Sequence, residues 1–121
     1  MRDDYADLKA AIEAAGFFTT FMPRRALART DEPGDRIVCA SHSYTRGPRK
    51  GGLGGNSFSV AKRGDTWFIV TWAPIIYRLS DPAQLAALCI RLLKRIPAKA
   101  YADFDEETKA EFGLVEVPEW D

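Results

Sequence analysis

The stretch Phe58-Ser-Val-Ala-Lys-Arg-Gly-Asp-Thr-Trp-Phe-Ile-Val-Thr-Trp72 is typical of two strands joined by a tight turn. Residues 58–61 and 66–72 are rich in β-branched and aromatic side chains, which favour extended backbone. Between them, Gly64 can adopt the positive φ that a short hairpin turn needs. In the second segment apolar side chains alternate onto both sides, which predicts a central strand covered on each face or one that exposes a large aromatic residue.

Extended segments continue on either side of this hairpin. The composition of residues 36–44 predicts another strand, and residues 17–21 are expected to run extended after a helix. After Pro74, residues 75–79 are expected to form either a short edge segment or an extended lead into the next helix. The C-terminal residues 114–121 either add a short edge strand or lie along the surface.

Three helices are predicted from apolar spacing and end signals. The first spans residues 4–15 and stops at Gly16; the second begins at Pro82 behind the N-cap Asp81 and ends at Pro97. The third spans residues 104–112, capped by Asp103 and stopped by Gly113.

The order of these elements is helix, strands, helix, helix, without the strand–helix alternation that builds a parallel sheet. We therefore expect a single α+β domain over residues 1–121. Its predicted architecture is an antiparallel three- to four-stranded β-meander with helices packed on one face.

Composition excludes several functional classes. The chain has 121 residues, 46% of them hydrophobic, and its 17 basic and 17 acidic side chains cancel, so no overall field draws it to nucleic acid or an anionic membrane. No export signal or long apolar run occurs, which predicts a cytoplasmic protein with Cys39 and Cys89 reduced. With His42 as the single histidine and no Cys-x-x-Cys spacing, we expect no metal site and no cofactor.

The loop GPRKGGLGGNS, residues 47–57, invites comparison with phosphate-binding loops. Lys50 precedes the glycines instead of following them, and the segment is followed by a predicted strand and not by a helix. The sequence therefore matches neither the GxxxxGK[ST] phosphate-binding loop nor the GxGxxG dinucleotide-binding pattern. Either the loop only connects strands, or its freed amides and basic side chains form an anion or acidic-partner site. The candidate residues of that site are Arg46, Arg49, Lys50, Gly51, Gly52, Gly54, Gly55 and Asn56.

Aromatic residues supply a second candidate surface. One of Trp67 and Trp72 is expected to be only partly covered, and partly covered aromatics are common anchors at interfaces. The predicted interface residues are Trp72, Tyr77 and Arg78.

Charge and catalytic residues complete the sequence evidence. After Ala102 the sequence contains eight acidic residues and one basic residue, Lys109. This excess of acidic residues indicates either a solvated helix face or a surface for a basic partner. His42 and Cys39 lie three apart on a predicted strand and face opposite sides, so we expect no catalytic residue and no enzyme.

In its size, its charge balance and its lack of expected catalytic residues, this chain is similar in type to small proteins that neutralise a partner, such as immunity proteins of bacterial toxin systems. The sequence therefore predicts a non-enzymatic, cytoplasmic protein-binding module whose partner is unidentified, and it leaves homo-oligomerisation open. The alternative is a domain that binds a small anion or nucleotide through residues 46–56. Nucleic-acid binding is disfavoured because a short basic patch makes few phosphate contacts.

Overall fold

A computed structural model describes residues 5–22, 36–43, 47–48, 52–71, 75–94 and 106–117. Its elements are α1 (Ala6–Ala14), β1 (Phe18–Met22), β2 (Arg36–Ser43), β3 (Leu53–Arg63), β4 (Thr66–Val70), β5 (Ile76–Leu79), a 3₁₀ turn (Pro82–Gln84), α2 (Leu85–Leu93), α3 (Glu106–Phe112) and β6 (Leu114–Val117). The α+β class is thus confirmed. The predicted number of three or four strands is wrong, because the described residues form a sheet of six strands.

The sheet is an antiparallel meander in which each strand pairs with its neighbours in sequence, in the order β1-β2-β3-β4-β5-β6. The predicted hairpin joins β3 to β4, with Arg63 opposite Thr66. Gly64 has a φ of 60° and Asp65 a negative φ, which is the pattern of a type II′ turn and matches the twist of the two strands.

The end of α1 shows why the chain turns into the sheet. Gly16 has a φ of 92°, its amide donates to the Glu13 carbonyl at 3.0 Å, and the Phe17 amide donates to the Ile12 carbonyl at 3.2 Å. These two bonds form a Schellman motif, which satisfies carbonyls that a helix end leaves open. The predicted stop at Gly16 is confirmed.

A polar cluster joins α1 to β1 on the surface. Glu13 accepts hydrogen bonds from Lys9 and from the Thr19 hydroxyl, and the latter bond measures 2.9 Å. Hydrogen bonding by Lys9 and then by Thr19 lowers the pKa of the Glu13 carboxyl, because both donors favour its charged form.

The second helix begins as the sequence predicts. Asp81 has an extended conformation, its carboxylate accepts the Ala83 amide at 3.1 Å, and Pro82 follows at the first helical position. The first turn is 3₁₀, and α2 proper starts at Leu85. Residues 95–97, where this helix was predicted to end, lie outside the described part of the chain.

The main core lies between the helices and one face of the sheet. Each helix contributes to it, through Leu8 and Ile12 of α1, Leu88 and Leu92 of α2, and the partly buried Phe112 of α3. The other fully or nearly buried members include Tyr5, Ile37, Cys39, Phe58, Val60, Ile69, Tyr77, Leu79, Leu85, Cys89 and Leu93.

The opposite face of the sheet also carries a buried apolar cluster. Ala61, Phe68, Val70 and Ile76 form a second cluster, with Val117 packed against it. Because Ile69 is buried on the helical side, β4 is covered on both faces, as its alternating apolar residues predict.

The C-terminal segment is part of the sheet. β6 pairs with β5, with Leu114 packed against the main core and Val117 against the second cluster. Val115, between them, is 44% exposed. Of the two arrangements that the sequence left open for this segment, the structure has the edge strand.

None of the helices in the described segments combines the length and the apolar character that crossing a membrane requires.

Replacing Leu88 by Ala should lower the free energy of unfolding by about 2–5 kcal/mol, because Leu88 is fully buried and its removal leaves a cavity. Ile90→Ala is the matched control, since Ile90 lies on the same helix but is only partly buried. Denaturant unfolding measures both. Equal losses for the two variants would contradict the packing of α2 described here.

The two thiols should be unreactive in the folded protein. Cys39 and Cys89 are free and fully buried, and the side-chain hydrogen bond with Cys39, together with burial, raises the pKa of the Cys89 thiol. A thiolate-selective reagent at pH 8 should therefore modify neither cysteine until denaturant is added.

The same pKa shift predicts alkaline destabilisation. Since the unfolded thiol loses its proton near pH 8.5 while the folded one keeps it, the free energy of unfolding should fall as pH rises above that value. Cys89→Ala should fall less steeply. Parallel pH profiles for parent and variant would contradict this assignment.

Candidate functional site

The described half of the glycine-rich segment belongs to the sheet. Gly54, Gly55 and Asn56 lie in β3, which begins at Leu53 instead of residue 58 as predicted, and Gly52 precedes the strand as an exposed residue. Arg46, Arg49, Lys50 and Gly51, also predicted for this site, lie outside the described residues.

Gly55 and Asn56 form a β-bulge against β2. The register passes from Ala40 opposite Ser57 to His42 opposite Gly54, so that these two residues of β3 face Ser41 alone. Gly55 has a φ of 73°, and a Cβ there would lie 2.3 Å from the Ser41 Oγ. Positive φ and close approach together require glycine at this position.

The side chain of Asn56 holds the end of α2. Asn56 is 2% exposed, and its Nδ2 donates to the Leu93 carbonyl at 3.0 Å. Its backbone amide donates to the Ser41 Oγ at 2.8 Å. The backbone amide and the side-chain Nδ2 of Asn56 are therefore engaged within the protein, and the anion-site hypothesis depends on other residues of the segment for its donors.

The predicted interface residues Tyr77 and Arg78 lie on opposite faces of β5. Tyr77 is 1% exposed, packs in the main core and has the Lys109 Nζ 5.5 Å from its ring centroid. Arg78 is exposed and lies opposite Val115 of β6. Because consecutive strand residues point to opposite sides, these two cannot form one patch; Trp72 lies outside the described residues.

A surface cleft of about 220 Å³ opens beside the other tryptophan of the hairpin, Trp67. Trp67 is only partly buried, as the sequence predicts for one of the two tryptophans. Three separate chain segments line the cleft: Asp7 and Leu8 of α1, Trp67 of β4, and Pro82, Ala83, Leu85 and Ala86 at the start of α2.

Trp67 is held in place by Tyr5. The two rings meet edge to face with centroids 5.4 Å apart, and Tyr5 makes a second such contact with Phe21 at 6.0 Å. The Tyr5 hydroxyl accepts the backbone amide of Lys62 at 3.0 Å. This wall of the cleft is therefore fixed by packing and a hydrogen bond, and it needs little reorganisation when a guest binds.

Charged groups surround the apolar cleft. The exposed Asp7 carboxylate makes no ion pair or hydrogen bond within the described part of the chain. Asp81 immediately precedes Pro82, and one of its oxygens accepts the Ala83 amide. Lys62 is a cation placed against the lining, with its Nζ 5.6 Å from the Trp67 ring centroid.

Groups that could support catalysis or metal binding are scattered. His42 is exposed, whereas Cys39 is fully buried against the helices next to Cys89. Within residues 5–22, 36–43, 47–48, 52–71, 75–94 and 106–117, no three His, Cys, Asp or Glu side chains cluster in a way that could hold a metal ion.

Sequence reasoning missed most of the cleft. Asp7 was not singled out, Pro82 carried only a helix-start signal, and nothing local indicates that the beginnings of two helices meet beside one strand. The partly covered tryptophan was the one usable signal.

Gly55→Ala should destabilise the fold more than Gly64→Ala, which serves as its control. Both glycines have positive φ, but a Cβ at Gly64 meets nothing within 4 Å. We expect the Gly64 variant to lose about 1–2 kcal/mol from backbone strain alone, and the Gly55 variant at least about 1 kcal/mol more from the clash with Ser41. Equal losses in denaturant unfolding would show that the bulge relaxes freely.

Comparisons of this chain with protein-family models, with curated proteins and with solved structures each found no match.

Proposed function

We propose that this chain is a non-enzymatic protein-binding module, and that the Trp67 cleft is its anchor site. The observation that carries the proposal is a preformed apolar cleft with a half-buried tryptophan wall. Interfaces concentrate their binding energy where one side chain enters such a pocket, and tryptophan is enriched there.

The size of the cleft favours a protein partner over a small-molecule ligand. Pockets for drug-sized ligands and cofactors span about 300–1,000 Å³, and the Trp67 cleft, at about 220 Å³, is smaller. A single side chain projecting from a partner fits this volume, and the rest of the partner would rest on the exposed residues around it.

The alternative, an anion or nucleotide site at residues 46–56, has less support. The amide and side chain of Asn56 are already bonded inside the protein, and Gly54 and Gly55 belong to a strand. Nothing in the described residues favours an enzymatic reaction over binding.

Affinity capture from the native host tests the proposal. Trp67→Ala removes one wall of the cleft and Ala83→Phe fills it from an exposed lining position. Each should weaken the captured partner's binding by about 2 kcal/mol or more, or roughly 30-fold. Calorimetry with the purified partner measures this loss.

Phe18→Ala is the matched control, since Phe18 is an aromatic residue 39% exposed on β1, away from the cleft lining. It should bind as the parent does, and all variants should retain the parent's circular dichroism. Equal partner affinity for parent and both cleft variants, or the capture of no protein, would contradict the proposed function.

A further inference from the structure

We propose that the Trp67 cleft receives a basic side chain of the partner, arginine in preference to lysine, with the alkyl stem inside the cleft and the cation at Asp7. This inference rests on the proposed function and adds the chemistry of the partner's anchoring residue.

The interior of the cleft favours an apolar stem. Its surface is supplied by Leu8, Pro82, Leu85, Ala86 and the Trp67 ring. The stem of an arginine or lysine side chain can cover such a surface while its charged end stays in water. An acidic or short polar side chain has no comparable apolar portion to bury here.

The rim of the cleft favours a cation. Asp7 is an exposed carboxylate that lines the cleft and has no ion pair or hydrogen bond in the described residues. Asp81 places a second carboxylate beside Pro82, with one oxygen used by the Ala83 amide. A guest cation would therefore give the Asp7 carboxylate the charged partner that the described residues do not provide.

Lys62 is the opposing charge and limits where the guest cation can lie. Its Nζ already sits 5.6 Å from the Trp67 ring centroid, so the guest's charged group belongs at the Asp7 side of the cleft. Arginine suits this place better than lysine, because its planar guanidinium is weakly hydrated and pairs with a carboxylate through two parallel hydrogen bonds.

Amino-acid probes separate the charge from the stem. N-acetyl-arginine amide, the neutral isostere N-acetyl-citrulline amide and the apolar N-acetyl-norleucine amide are titrated at low salt while the Trp67 indole N–H resonance is followed by NMR. Trp67→Phe assigns that resonance. We expect the arginine probe to bind at least fivefold more tightly than the other two, and this advantage should shrink as salt is added.

Asp7→Asn should bring the arginine probe to within about twofold of the citrulline probe, with citrulline binding unchanged. Glu107→Gln is the control, because Glu107 is an exposed carboxylate on α3 that does not line the cleft, and it should keep the arginine preference. Equal binding of arginine and norleucine probes, preference for an N-acetyl-glutamate amide probe, or an arginine preference that survives Asp7→Asn would overturn the inference.

The two proposals fail in different ways. If the captured partner depends on Trp67 and Ala83 but not on Asp7, the cleft is a protein-binding site for another kind of side chain, and the inference alone is wrong. If the arginine probe binds at Asp7 while the cleft variants retain the partner, the proposed function fails instead.

Discussion

A buried helix end needs a partner for its last carbonyl groups, and here the side chain of Asn56 provides one. Its Nδ2 reaches the Leu93 carbonyl from β3 and joins the end of α2 to the middle of the sheet. The bulge at Gly55 places Asn56 in this position. Losing the amide would leave a buried acceptor without this donor, which costs about 1–3 kcal/mol in proteins generally.

α2 also connects the Asn56 hydrogen bond to the Trp67 cleft. Its C-terminal end is held by Asn56, and its start supplies Leu85 and Ala86 to the cleft lining. Between these ends, Leu88 and Cys89 are fully buried against the sheet. The contacts at the end of α2 therefore help to fix the position of Leu85 and Ala86 in the cleft lining. A substitution in the bulge that displaces α2 would also displace these two residues.

The sequence predicted those features that local chemistry determines. Gly16, Gly64 and Gly113 each end or turn an element with positive φ, and Asp81 and Pro82 begin a helical segment. Features that depend on distant partners were not predictable. In the sequence, the glycines at positions 51–55 are typical of a loop. The bulge that requires Gly55 exists only when β2 pairs with β3.

The same distinction between local chemistry and distant partners applies to the candidate sites. Tyr77 and Arg78 are adjacent in sequence, but the strand directs one into the core and the other to the surface. Asp7, Trp67 and Ala83 are far apart in the chain and meet only in the folded protein. The alternation of residues 67–70 indicated that large side chains occupy both sides of β4, so the sequence predicted one partly covered tryptophan. It selected Trp72 for the interface, whereas the cleft lies beside Trp67.

The sequential strand order has a consequence for how the sheet assembles. β3 and β4 are joined by two residues, whereas β5 and β6 pair across residues 80–113, a segment that includes α2 and α3. Closing the longer loop costs more chain entropy before any contact offsets it. We therefore expect the β3–β4 hairpin to form early and β6 to dock late. The residue before β6 is held by a hydrogen bond of 2.6 Å, which the Ser80 hydroxyl donates to the Gly113 carbonyl. In the folded protein, the amides of β6 should then exchange with solvent sooner than those of β3, because the last strand to arrive is also the easiest to release.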